Sequence, residues 1–117
     1  MDNLMATAFA RDYWMQGKIS ATKEGKITGL WCHTTADHGA FDACADPTKF
    51  PAGFMNICTG SYDIPTAYLA VDGIYTNKAP GGVAYRCSFR VTEAAYFIER
   101  MIEVLAIKLG MDAADLR

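Results

Sequence analysis

In Thr92-Glu93-Ala94-Ala95-Tyr96-Phe97-Ile98-Glu99-Arg100-Met101-Ile102-Glu103-Val104-Leu105-Ala106-Ile107-Lys108-Leu109, apolar residues return every three or four positions. Ala94, Phe97, Ile98, Met101, Ile102, Leu105 and Leu109 form one stripe, the pattern of a helix with one buried face. Val104, Ala106 and Ile107 are expected to widen that stripe. Glu93 suits the positive N-terminal end of the helix and Lys108 the negative C-terminal end. Gly110 is placed to stop it as the C′ residue. Asp112 and Asp115 then read as a cap and its third-position acid, opening another helix in whose first turn the sequence stops at Arg117.

Upstream of the helix, residues 77–90 read as loop, and Pro65 precedes a strand over residues 66–75. There Ala67, Leu69 and Val71 alternate with Tyr68 and Ala70. Residues 36–61 are rich in Gly, Pro and Asp, with a short helix expected over residues 51–57. At the other end, residues 11–22 read as a strand, with Tyr13, Met15, Ile19 and Ala21 on alternating sites around Gly17. Lys23-Glu24-Gly25 makes a turn, Gly25 being free to take positive φ. Residues 26–35 return as the second strand, with Ile27, Gly29 and Trp31 expected on one face. The elements add up to an α+β fold in the order β-hairpin, short helix, strand, loop, long helix.

The 117 residues suit one domain at most. A formal net charge of −2 gives no basic footprint for nucleic acid or an anionic membrane. No apolar run is long enough to span a bilayer. Met1-Asp2-Asn3-Leu4 has neither the basic nor the apolar region of a signal peptide, so a cytoplasmic site is expected. The long helix is more apolar than one hairpin and a few loops can cover. Together with the abrupt end in a helix turn, this points to a fragment truncated at both ends. Such a piece is expected to be inactive alone.

The chemistry concentrates in Ala84-Tyr85-Arg86-Cys87-Ser88-Phe89-Arg90, after the Gly81-Gly82 pair. A thiol between two arginines, beside two aromatics and on a loop, is an unusual place for a structural cysteine. A neighbouring guanidinium lowers a thiol's pKa, and the thiolate is both a nucleophile and a soft metal ligand. Cys32, Cys44 and Cys58 read instead as free thiols that pack like small apolar residues, since no pair has Cys-x-x-Cys spacing. His33 and His38 read as hydrogen-bonded structural histidines. Asp37, Asp42 and Asp46 read as acids closing Asx turns, since the spacing and terminal glutamate of a calcium loop are missing. Gly81-Gly82 is not a phosphate loop, because no Gly-Lys-Ser/Thr follows it.

This loop carries a resemblance, together with Tyr75-Thr76-Asn77-Lys78 before it and Glu93-Ala94-Ala95-Tyr96 and Ile98-Glu99-Arg100 after it. The chain resembles the molybdenum hydroxylase family, that of xanthine dehydrogenase and aldehyde oxidase. In its cysteine-containing form the loop is similar to that of the copper- and molybdenum-containing carbon monoxide dehydrogenase branch, in the large subunit. Ala36-Asp37-His38-Gly39-Ala40-Phe41-Asp42-Ala43-Cys44-Ala45-Asp46-Pro47 fits the same subunit. So does Pro51-Ala52-Gly53-Phe54-Met55-Asn56-Ile57-Cys58-Thr59-Gly60-Ser61-Tyr62-Asp63. The likeness covers nearly the whole chain and a small internal slice of a much longer subunit.

The resemblance implies that residues 1–117 are part of a molybdopterin-binding domain. It implies oxidation of carbon monoxide with water to carbon dioxide at a molybdenum–sulfido–copper centre. Cys87 would be the copper(I) ligand, Arg86 a donor to metal-bound oxygens, and Phe89 a wall of a small apolar pocket. Ala84, Tyr85 and Ser88 would lie along the cofactor. The cofactors implied are molybdopterin cytosine dinucleotide and Cu(I), with FAD and [2Fe-2S] clusters on partner subunits. Those partners are an FAD-binding medium subunit and an iron–sulfur small subunit, in a dimer of heterotrimers. The setting is cytoplasmic, with association to the inner face of the membrane left open. The family's glutamate base and pterin-binding loops are expected outside this chain. The other readings are a copper-free hydroxylase of the aldehyde oxidase type, a cysteine-nucleophile enzyme pairing Cys87 with His33 or His38, and a noncatalytic α+β module.

Overall fold

The hairpin folds where alternation and the Gly25 turn place it. In the computed structural model, which describes residues 12–40, 49–78 and 91–117 (side chains of 49–52 excepted), β1 spans Tyr13–Ala21 and β2 spans Ile27–Asp37. Gly25 takes φ 94°, and the turn closes with Gly25 N donating to Thr22 O at 3.1 Å and Thr22 N to Lys26 O at 2.8 Å. The two strands are antiparallel, from Tyr13 opposite Ala36 to Ala21 opposite Ile27. Tyr13, Met15 and Ile19 pack against the core while Trp14, Gln16 and Lys18 are exposed, as the alternation predicts.

The face of β2 differs from the expected one. Ser20 pairs with Gly29 and Ala21 with Ile27, so Thr28 is an extra residue at a bulge. Beyond that bulge the alternation is shifted by one residue. Leu30, Cys32, Thr34 and Ala36 are buried with Ile27, while Trp31 turns to the other face, where Lys18 Nζ lies 5.0 Å from its ring centroid.

A third strand, β3 (Ala67–Ile74), runs parallel to β2 from Leu30 opposite Ala67 to Asp37 opposite Ile74. The sheet order is β1-β2-β3. A parallel neighbour requires a crossover, and the connection carries helix α1 (Lys49–Ile57), with Pro51 in its first turn, where a missing N–H is harmless. Leu69 and Val71 pack on the core, as their alternation predicts.

Helix α2 spans Val91–Leu109, and its buried residues are Glu93, Ala94, Phe97, Ile98, Ile102, Leu105 and Ala106. Met101 and Leu109 pack alongside them, partly buried. Ile107 does not widen the stripe: it is 74% exposed, because one residue past Ala106 the helix has turned to the opposite side. Gly110, at φ 68°, ends the helix in a Schellman motif. Its N–H donates to Ile107 O at 3.3 Å, and Met111 N–H donates to Ala106 O at 3.0 Å. Asp112 then caps the four-residue helix α3 (Ala113–Leu116), accepting from Ala114 N at 2.7 Å.

One core joins sheet and helices through Leu30, Cys32, Ala36, Phe54, Cys58, Ala94, Phe97 and Ile98. A second cluster, Ile27, Ile102 and Leu105, continues it toward the hairpin turn. Among the described residues no helix is long and apolar enough to cross a membrane.

Candidate active site

Parallel strands β2 and β3 end side by side, and the chain beyond each continues the pairing. His38 N donates to Ile74 O at 2.8 Å, Thr76 N to Gly39 O at 2.8 Å, and Ala40 N to Lys78 O at 3.0 Å. Carboxyl ends of strands are where open α/β sheets hold their ligands. Here that end is built around Asp37. Its Oδ1 accepts from Gly39 N at 2.7 Å and from Thr76 Oγ1 at 2.8 Å, and its Oδ2 lies 3.0 Å from Lys78 Nζ. Lys78 also pairs with the Asp12 carboxylate. Burial pushes the Asp37 carboxyl up, but the Gly39 N–H, the Lys78 ammonium and the Thr76 hydroxyl outweigh it and hold the group below its ordinary range. Asp12 and then Asp37 hold Lys78 above its ordinary range.

Lys78 is the last described residue before residues 79–90, and Val91 opens α2 after them. Ala84, Tyr85, Arg86, Cys87, Ser88 and Phe89, the residues expected to carry the chemistry, lie outside the described residues. So do the Gly81-Gly82 pair, Cys44, Asp42 and Asp46. On the far side, Glu93 is buried in the first turn of α2 and accepts from Thr92 Oγ1 at 3.1 Å.

The remaining candidates have structural partners. His33 Nε2 lies 2.7 Å from Asp72 Oδ2 across the β2–β3 pair, with the Trp31 ring at 6.2 Å. His38 is buried against Tyr75 and above Gly73, where an added Cβ would come within 2.8 Å of its Nε2. Asp37 closes an Asx turn onto Gly39, as read from its sequence. Cys32 and Cys58 are free, buried thiols, as expected. Cys58 is pushed far up by its hydrogen bond to Cys32 and by burial, while that same bond draws Cys32 down; both side chains are fully enclosed in the core. Among the described residues no group of three His, Cys, Asp or Glu side chains is placed to hold a metal ion.

Two features escaped the sequence reading. One is the Asp37–Thr76–Lys78–Asp12 cluster, of which only the Asx turn was locally encoded. The other joins Tyr62 to α2 and α3: Tyr62 Oη donates to Glu99 Oε1 at 2.7 Å, and Arg117 bonds Glu99 Oε2 at 2.9 Å and Glu103 Oε1 at 2.7 Å. It borders a cavity of about 430 Å³ near the hairpin turn, lined by Lys26, Ile27, Asp63 and Leu116 among others. None of the Asp37 group lines that cavity.

An α+β layer with a three-stranded mixed sheet packed on its long helix, in a chain whose residues 84–90 carry a cysteine between arginines, defines a class. The chain belongs to the molybdopterin cofactor-binding domain family, matched over residues 1–117. It is 73% identical, over all 117 residues, to the carbon monoxide dehydrogenase large chain of Afipia carboxidovorans, spanning 100% of this chain and 14% of that one. It is 68% identical to the large chain of the same name from Hydrogenophaga pseudoflava, spanning 100% of this chain and 15% of that one. The crystal structure of a Cu,Mo-CO dehydrogenase in its carbon monoxide reduced state superposes on 99% of this chain and 15% of its own, with TM-score 0.89 at 72% identity. The chain thus spans about 14% of the length of the curated relatives it matches.

Proposed function

We propose that this chain is part of the catalytic large subunit of an aerobic carbon monoxide dehydrogenase, with Cys87 the copper(I) ligand. The observation that carries the reading is identity along the whole chain to carbon monoxide dehydrogenase large chains, at 73% and 68%. It is joined by the donor chemistry of the loop, since a thiolate flanked by arginines suits a soft, low-valent cation.

When bound, a molybdenum–sulfido–copper centre on molybdopterin cytosine dinucleotide supplies the two-electron oxidation of carbon monoxide with water to carbon dioxide. The residues of this chain do the rest. Cys87 holds copper as thiolate. Arg86 would keep that thiol ionised and offer its planar donors to oxygens at the centre. Phe89 would keep the pocket small and apolar, as suits a neutral diatomic substrate. Ala84, Tyr85 and Ser88 would line the cofactor, the serine offering it a hydroxyl or backbone amide. FAD on a medium subunit and [2Fe-2S] clusters on a small subunit would serve as electron acceptors, in a cytoplasmic dimer of heterotrimers.

Replacing Cys87 by serine in the complete enzyme tests this. A hydroxyl is a hard, weakly ionised donor. Copper and carbon monoxide oxidation are expected to disappear while molybdenum stays bound. Copper at its wild-type ratio to molybdenum would overturn the assignment. Retained hydroxylase activity on an aldehyde or N-heterocycle, without copper, would favour a copper-free hydroxylase.

A further inference from the structure

We propose that the face of the sheet turned away from α2 is an internal contact of the large subunit. Its occupant is polypeptide of that same subunit outside residues 1–117, which brings a carboxylate to Lys18. The inference rests on the reading of the chain as part of such a subunit, and does not depend on Cys87 being a copper ligand.

Among the described residues the helices cover one face of the sheet. Leu30, Cys32 and Ala36 of β2, with Leu69 and Val71 of β3, share a core with Phe54 of α1 and Phe97 of α2. The positions between them point the other way. There Lys18 of β1 lies opposite Trp31 of β2, and Trp31 opposite Tyr68 of β3, so one row crosses the whole sheet. Lys18 Nζ sits 5.0 Å from the Trp31 ring centroid. Two residues along β2, the His33 ring meets Trp31 edge to face and bonds Asp72 of β3. Trp14 stands on the same side of β1, exposed like Tyr68.

An open side of an antiparallel sheet is normally polar, but β2 and β3 are parallel, and parallel strands are found with both faces covered. Tryptophan and tyrosine are the residues that protein contacts concentrate. A single lysine among these rings is no track for a nucleic-acid backbone. The occupant is therefore polypeptide.

The chain spans 14% of a carbon monoxide dehydrogenase large chain, so most of such a subunit remains to be placed around these residues. Chain tethered to the sheet meets it at a high effective concentration that a separate subunit lacks. Among the described residues the outer edges of β1 and β3 are unpaired as well, leaving the sheet open to further chain on its flanks. The charges on the face give the occupant's chemistry. Asp72 already has His33, whereas Lys18 pairs with no carboxylate among the described residues. An ammonium taken out of water needs a counter-charge. The covering chain therefore sets apolar groups on Trp14, Trp31 and Tyr68, and an Asp or Glu on Lys18.

The test uses the complete enzyme. Hydroxyl-radical oxidation read by mass spectrometry reports whether Trp14 and Tyr68 are covered. A water-soluble carbodiimide, which joins an ammonium to a carboxylate in contact with it, reports by what. Both rings are expected to escape oxidation in the native enzyme and to be oxidised once it is unfolded. Lys18 is expected to be joined to an Asp or Glu of its own large subunit, outside residues 1–117. Lys18→Glu is expected to expose both rings to oxidation, and Lys18→Arg to keep them protected. Native rings oxidised as fast as unfolded ones overturn the proposal. So does a Lys18 without a link, or one whose link adds the mass of another subunit or of a second large chain. If Lys18→Glu does not assemble, the wild-type protection and link decide alone. Copper content and carbon monoxide oxidation, measured on the same enzyme, decide the functional reading separately. Their absence sinks that reading, while a link to another subunit in active, copper-loaded enzyme sinks this contact alone.

Discussion

Gly17 of β1 lies directly beneath Phe97 of α2. A Cβ built on Gly17 would come within 2.7 Å of Phe97 Cε2 and 2.6 Å of Met101 Sδ. The absence of a side chain at this one strand position lets the long helix settle onto the sheet. Phe97 is 4% exposed and packs 6.5 Å, centroid to centroid, from Phe54 of α1. The contact therefore links strand, crossover helix and long helix.

Gly17→Ala is expected to overpack that contact and cost about 1–3 kcal/mol. The loss should appear as faster amide exchange in β1 and in α2 around Phe97, measured by mass spectrometry on the complete enzyme. Unchanged exchange in both elements would mean that the helix does not rest on this strand.

The Asp37 cluster gives an acid dependence of known sign. The folded-state pKa of Asp37 lies below its ordinary 3.8, so the unfolded chain binds a proton more readily. Stability from this group is complete above the ordinary value and is lost as pH falls through the folded one. Protection of the Gly39 and Thr76 amides should hold at neutral pH and fail on acidification below about 3.8, after correction for intrinsic exchange. Asp37→Asn should remove that acid step. A variant retaining the wild-type acid profile would show that another group titrates there.

Arg86→Lys in the complete enzyme keeps the charge and loses the planar fork. Turnover is expected to fall by about tenfold to a hundredfold, with copper retained. Unchanged turnover would restrict Arg86 to a long-range effect on the Cys87 thiol.

The 117 residues produced by themselves are expected to self-associate. Trp14 and Tyr68, on β1 and β3, are 71% and 60% exposed, and among the described residues each strand is paired on one side only. Analytical ultracentrifugation should give a distribution of assemblies, and metal analysis should find no molybdenum. A monodisperse monomer unfolding in one sharp denaturant transition would contradict this.

The hairpin, β3 and the long helix were legible because their order is local. Period-two alternation marks Tyr13, Met15 and Ile19, and period-3.6 spacing marks Phe97, Ile98, Ile102 and Leu105. Gly25, Gly110 and Asp112 punctuate the elements by backbone chemistry that any reader of the chain can apply. The inward face of β2 was not legible, because the bulge at Thr28 depends on how β1 pairs with it. Nor was the parallel pairing of β3 with β2, which alternation alone does not distinguish from antiparallel. The Asp37–Thr76 hydrogen bond joins residues 39 apart, and no local signal announces such a partner. Of the candidate site, the thiol and arginines of residues 86–90 are a reading of the sequence that lies outside the described residues, while the Asp37 cluster emerged only from the fold.

The central claim is that Cys87 ligates copper. Anomalous diffraction at the copper absorption edge, from crystals of the complete enzyme, tests it most directly. The account predicts one copper peak at bonding distance from Cys87 Sγ, and its loss in Cys87→Ser crystals that retain molybdenum. A copper peak held by other residues, or one persisting in the serine variant, would contradict it.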